Sequence, residues 1–450
     1  MRFWIRMGSR RSRCVLTLAA TLAMMAALAT PALAAAGDLD PTFGTGGKVT
    51  TTFGPASGDF GLDMAIQTDG MIVVAGFSFT IATPGDFALA RYTPTGALDG
   101  SFGSGGKVTT PIGAGDDQAQ AVAVQSDGKI IAAGYGSDAR VFSPDCTYDF
   151  ALARYTSTGA LDGSFGSGGK VRTPVGTCID AITDVTVQPD GKILAVGTAF
   201  NPATGSLDFA MARYASTGAL DGTFGSGGTV ITAMSNARDH PTGIALQPDG
   251  KIVVAGWAGR SRHRDWALAR YTPTGALDGS FGSGGKVITD LGSGEDLASA
   301  LVLQPDGRIV VAGSVEMAAT SDDFALIRYT STGALDVSFG SGGMVTTDFG
   351  LTFGDEATAA ALQSDGKIIA AGSVQIDVNG RTAFALARYT STGALDGSFG
   401  FGGRQATPFT SADGHDSQAE GVTLQSDGKI VAAGWVGEAD FALARYENEL

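Results

Sequence analysis

The chain has 450 residues, of which 67 are glycine and only 17% are charged, a composition that suits many short strands and tight turns. Its formal charge of −15 disfavours non-specific binding to nucleic acid or to an anionic membrane surface, and leaves cations and basic partners electrostatically welcome.

At the N-terminus, Arg2, Arg6, Arg10, Arg11 and Arg13 precede an apolar run from Cys14 to about Ala29 that ends in Pro31-Ala32-Leu33-Ala34. The run is shorter than a comfortable membrane span and the Ala-x-Ala spacing suits signal peptidase. Residues 1–36 therefore read as a signal peptide cut after Ala34 or Ala36, with an uncleaved anchor as the alternative. Arg10-Arg11 also fits the twin-arginine route, although Arg13 stands where that signal carries an apolar residue. Losing the five leader arginines moves the formal charge from −15 to −20. A secreted, periplasmic or cell-surface location follows, with no membrane insertion after cleavage. Cys146 and Cys178 survive processing into a compartment that permits disulfides, so a bridge between them is expected.

Residues 37–450 are dominated by a repeat of about 60 residues. Phe-Gly-x-Gly-Gly begins at Phe43, Phe102, Phe165, Phe224, Phe281, Phe339 and Phe399. Gln-x-Asp-Gly carries Asp69, Asp127, Asp190, Asp249, Asp306, Asp365 and Asp427. Arg-Tyr recurs at Arg91, Arg154, Arg213, Arg270, Arg328, Arg388 and Arg445. In each unit the residues before the Gln alternate in size, as in Val122-Ala123-Val124, and predict a strand A. Ser-Asp-Gly or Pro-Asp-Gly makes a hairpin turn into an apolar strand B such as Ile130-Ile131-Ala132-Ala133-Gly134, whose closing glycine is expected where sheets stack too closely for a side chain. Strand C is Phe-Ala-Leu-Ala-Arg-Tyr, and after a Thr-Gly-Ala-Leu-Asp loop strand D runs through Gly-Gly-Lys-Val-Thr.

Four antiparallel strands per unit, with no helical period, predict an all-β, seven-bladed propeller, against a β-solenoid or a string of modules. The two ends of the repeat array decide between them. The repeats open with a lone strand D (43–52) and their last strand C stops at Tyr446, so the N-terminal strand is expected to complete blade seven and close the ring. Gln-Ser-Asp-Gly-Lys-Ile, Phe-Ala-Leu-Ala-Arg-Tyr and Leu-Asp-Gly-Ser-Phe-Gly-Ser-Gly-Gly-Lys-Val strongly resemble the delta-60 repeat family of bacterial exported, propeller-like proteins. The resemblance spans 38–446 and implies fold and export. It implies no reaction and no catalytic residues.

Propeller topology puts the near-identical A–B and C–D loops on a lower face and the variable B–C and D–A loops on an upper one, where binding is expected. Asp59, Asp117, Asp180, Asp239, Asp296 and Asp355 stand eight residues before each Gln, with Asp416 one place earlier still in the seventh copy. They are expected to ring the mouth of the central channel, either holding a cation such as calcium or capping backbone donors at the entry to strand A. A second set, Asp86, Asp149, Asp208, Asp265, Asp323 and Asp440, precedes strand C. The repeated arginines are expected to pair with turn or loop aspartates. Blade four departs from the acidic pattern: Arg238, His240, Arg260, Arg262, His263 and Arg264 cluster with Trp257 and with Trp266, which replaces the usual Phe. Such a patch suits a carboxylate, a phosphate or an acidic glycan; a zinc site from Asp239, His240 and His263 has no strict ligand spacing to support it.

No Gly-x-Ser-x-Gly elbow, Cys–His pair or phosphate loop is present, and there are only three histidines. The expectation is an exported, monomeric, non-catalytic binding or surface-interaction propeller whose partner is a protein, a glycan or a small anion. The alternative is a metal-assisted hydrolase or lyase using carboxylates at the channel mouth.

Overall fold

The computed structural model describes residues 35–138, 148–292, 294–317, 321–350, 354–409, 416–437 and 440–448, and all regular structure in them is β-strand. The strands form seven four-stranded antiparallel sheets, each in the order A-B-C-D. The fold is a seven-bladed β-propeller, as the repeat predicts.

Strands A (Ser57–Ile66, Gln118–Val124, Asp180–Val187, Asp239–Leu246, Leu297–Leu303, Asp355–Leu362 and Ser417–Leu424) line the central channel. Each carries one β-bulge, whose extra residue is Leu62, Gln120, Thr183, Thr242, Ser299, Thr358 or Glu420. The bulge also explains the glycine that closes strand B. A Cβ on Gly76 would stand 1.7 Å from the Phe60 carbonyl oxygen, and one on Gly197 1.9 Å from that of Ala181. The close approach expected between stacked sheets is therefore made within one blade, by the bulged inner strand.

Apolar side chains fill the spaces between adjacent blades, and the seven phenylalanines that open Phe-Gly-x-Gly-Gly are completely buried among them. At the lower rim each repeated arginine works twice. Arg213 pairs with Asp221 (2.9 Å), lies over the Phe224 ring (4.7 Å) and donates to the Pro273 carbonyl of the next blade (2.6 Å). Equivalent arginines pair with Asp99, Asp162, Asp278, Asp336 and Asp396, so the expected pairing holds and also ties blade to blade.

The ring closes as the offset of its ends predicts. Lys48–Thr51 pairs with strand C of the last blade, Lys48 opposite Ala444 and Thr51 opposite Phe441. Asp40 then takes the aspartate's part for blade seven, 2.6 Å from Arg445, whose guanidinium donates to the Pro94 carbonyl of blade one.

Candidate functional site

The first aspartate set is not a ring of channel ligands. Asp59, Asp117, Asp180, Asp239, Asp296 and Asp355 are at most 1% exposed, and none lines the channel cavity. They sit beneath the D–A loops, where most accept amide hydrogen bonds from the chain that precedes them. Asp117 takes those of Ile112 (2.6 Å) and Gly113 (2.9 Å), Asp180 those of Val175 (2.7 Å) and Gly176 (2.8 Å), and Asp239 that of Met234 (2.7 Å). Buried amides need acceptors, and one carboxylate satisfies a whole turn. Asp416 is exposed, and buried Ser417 stands in the corresponding register position of blade seven.

In blade four, register puts His240, Trp257 and Trp266 side by side on strands A, B and C. His240 faces the channel and stacks on Trp257 with ring centroids 5.2 Å apart. Arg264 lies 4.3 Å from the centre of the Trp257 ring and Arg238 5.8 Å. Arg264 also reaches Glu295 (3.3 Å), but its Nε is buried without a hydrogen-bond partner. Arg238 is exposed, and among the described residues it has no carboxylate at ion-pair distance. Burial, then Arg238 and Arg264, push the His240 pKa down to about 4, so its ring is neutral at pH 7.

Arg260, Arg262 and His263 are exposed at the tip of the hairpin, where Arg262 has a φ of 71° and its amide donates to Glu295. Trp266 does not join the patch: it is fully buried against blade five, because the position it shares with the usual Phe points into the space between blades. The structure thus brings Arg238, His240, Trp257 and Arg264 together and leaves Arg260, Arg262 and His263 as a rim. Asp239, bound to its own loop, is turned away from any zinc role. Of the expected disulfide, Cys146 lies outside the described residues.

The channel is acidic for a reason the repeat pattern conceals. Its cavity of about 420 Å³ is lined by Asp63, Asp184, Glu356 and Glu420 together with His240, Gln120 and Gln418. Asp63 accepts the Val122 amide of the next blade and Asp184 the Ile244 amide, at 2.7 and 2.8 Å. Burial pushes both up to about 7; the charge of Asp184 raises Asp63 further, while the amide bonds hold both down. Glu420 also rises to about 7, through burial and Glu356, against the hydrogen bond it accepts from Trp435 Nε1 at 3.0 Å. Burial followed by the charge of Asp322 raises Glu356. Near neutral pH this lumen holds groups able both to donate and to accept protons.

Sequence reading misses these four because it follows what recurs. The signal that finds three of them is departure from the repeat: four residues before the Gln, Asp63 and Asp184 replace the Ala or Gly of the other blades, and Glu420 falls on a bulge site that is Thr in three blades; Glu356 holds a position that varies from blade to blade and gives no such signal.

No curated protein sequence matches the chain. Solved structures with the same fold include the polysaccharide lyase Uly1, at 12% identity and a TM-score of 0.51, covering 86% of this chain and 90% of that one. At 12% identity that likeness is one of fold. Sqt1 from Chaetomium thermophilum is also similar, at 12% identity and a TM-score of 0.47, covering 86% and 95%. A family model described as a domain of unknown function (DUF5122) beta-propeller matches residues 67–102, 125–165, 188–224, 247–281, 304–339, 363–399 and 425–449, one match in every blade and more than half of the chain, so the protein belongs to that family.

Proposed function

We propose that this protein is an exported, non-catalytic binding propeller that captures an anionic group, a carboxylate, a phosphate or an acidic glycan, on the upper face of blade four. The observation that carries the reading is the pair of guanidiniums, Arg238 and Arg264, held on one Trp257 ring, where among the described residues Glu295, 3.3 Å from Arg264, is the one carboxylate at ion-pair distance from either. Two like charges kept together repel, and the pKa of Arg238, whose guanidinium lies over the Trp257 ring, is lowered by partial desolvation and then by Arg264. An anion placed between them relieves that repulsion and gives the buried Arg264 Nε an acceptor.

Export is supported by the basic and apolar leader and by the resemblance to the delta-60 repeat family, and accords with a secreted, periplasmic or cell-surface monomer. An oxidising compartment also suits a bridge between Cys146 and Cys178. Two free thiols in the mass spectrum of the exported protein would remove that inference.

Titration calorimetry with oligogalacturonate and with inorganic phosphate tests the site. Binding is expected that weakens with salt and is lost in the Arg238→Glu, Arg264→Glu double variant. Equal binding by variant and wild type places the site elsewhere, and no binding of either probe ends the reading.

A hydrolase or lyase acting in the channel is the second reading, favoured by the four lumen carboxylates with His240. Among the described residues, no three of these groups lie within reach of a single metal ion. Turnover of uronate polymers by wild type, lost in Glu420→Gln, would favour it over simple binding.

A further inference from the structure

Among the described residues, the seam between blades five and six gathers three carboxylates closely enough to share one ion. After strand D, five blades carry Thr52, Pro111, Pro174, Ala233 or Pro408, and blades four and five carry Asp290 and Asp348. One oxygen from each of Asp323, Asp348 and Asp355 lies within 4.8 Å of the other two. Asp323 comes from strand C of blade five and Asp355 from the start of strand A of blade six, so the cluster spans two blades.

Asp355 is completely buried. Its Oδ2 accepts the Phe349 amide at 2.9 Å, while its Oδ1, also buried, has no hydrogen-bond partner. Arg404, which comes from strand D of blade six, donates to the backbone carbonyl of Asp348.

We propose that Asp323, Asp348 and Asp355 hold a divalent cation, calcium by the hardness of an all-oxygen ligand set, and that the ion pins blade five to blade six. Three carboxylates binding through one or both oxygens, completed by water, meet calcium's demand for six to eight oxygens at about 2.3–2.6 Å. Half-buried Asp348 supplies the way in. Three carboxylates gathered this closely repel one another, and a bound cation removes that repulsion. The neighbouring seam has a related trio, Asp265, Asp290 and Asp296, in which burial with the charges of Asp265 and Asp290 raises Asp296 to about 6. Among the described residues only the Asp348 cluster has the convergent geometry.

The test is calorimetric titration of EDTA-treated full-length protein with calcium, magnesium and manganese separately, alongside thermal melting. One calcium per chain is expected, with a rise in melting temperature of about 2 °C or more at saturation. Asp348→Ala should lose both, with at least about ten-fold weaker binding by the affinity scale. Since Ala233 holds the same position in blade three, the variant should fold, and its cooperative melt without calcium verifies this. Asp290→Ala should keep the wild-type response. Absence of calcium heat and of any shift in the wild type, preference for magnesium, or an unaltered calcium response in Asp348→Ala would each overturn the assignment. Loss of binding in Asp290→Ala with retention in Asp348→Ala would overturn it too.

Discussion

The lower rim and the upper face of this ring come from the same seven repeats and obey different rules. Below, one arrangement of arginine, aspartate and phenylalanine is copied from blade to blade, each guanidinium reaching a carbonyl of the next blade. Above, a single register position on strand B holds Phe77, Tyr135, Thr198, Trp257, Ser314, Ser373 and Trp435 in turn. Uniformity marks the places where blades must be joined, and variety marks those where blades are free to differ. Stability should therefore reside below and recognition above, a division that experiment can break.

The largest effect should come from the join itself. Deleting residues 38–52 removes the outer strand of blade seven and the Asp40–Arg445 pair, exposing a long unpaired strand edge. Loss of cooperative urea unfolding is expected; a cooperative transition retained at full amplitude would refute closure by the N-terminal strand. Next in size is Arg213→Ala. It removes the guanidinium's bonds to Asp221, which keeps Lys192 at 3.2 Å, and to the Pro273 carbonyl, and should cost about 1.5–3 kcal/mol in denaturant titration, the usual range for hydrogen bonds to a charged group. A cost below about 1 kcal/mol would show that the rim carries no special share of stability.

A smaller effect, from the channel, should appear with pH. Asp63, Asp184 and Glu420 titrate near 7 in the folded protein against ordinary values of 3.8 or 4.5. The folded state then holds more protons than the unfolded state between about pH 4 and 7, so stability falls as pH rises through that window. His240, lowered to about 4, opposes the trend between about 4 and 6.5 as a single group. In EDTA the melting temperature should be higher at pH 5 than at pH 8, and Asp63→Asn, Asp184→Asn and Glu420→Gln together should flatten the slope. A melting temperature that climbs from pH 5 to 8 would contradict it.

The smallest change in stability is expected where the change in binding is largest. Arg238→Glu with Arg264→Glu should alter stability by under about 1 kcal/mol, since the one ion pair lost, Arg264 with Glu295, is partly exposed. Destabilisation by several kcal/mol would make the pair another structural latch and erase the contrast between the faces.

The blades, their strands and the closing offset were legible because periodic constraints repeat their signal seven times. The role of Gly76 and its counterparts was read correctly as a close approach but assigned to the wrong neighbour, since a bulge leaves no mark in residue type that spacing reveals. Arg238, His240 and Arg264 could be grouped from two loops flanking one hairpin, whereas the burial of Trp266 depended on which side of strand C it occupies. The channel carboxylates escaped for the opposite reason. Asp63 and Asp184 are exceptions within a regular pattern, and they meet only when blades one and three face a common lumen.

The outer strand of blade seven also has a kinetic consequence. Lys48–Thr51 is made first and finds its partner in residues 441–444, about 400 positions later, while every other blade is assembled from a contiguous stretch of chain. Six blades can form locally, but their last joining step must await almost the whole polypeptide and carries the loop-closure entropy of a contact at nearly maximal sequence separation. Refolding should therefore show early growth of β-structure followed by a slower, concerted gain of protection against hydrogen exchange in blades seven and one, with the half-made ring in between as the species most prone to aggregate.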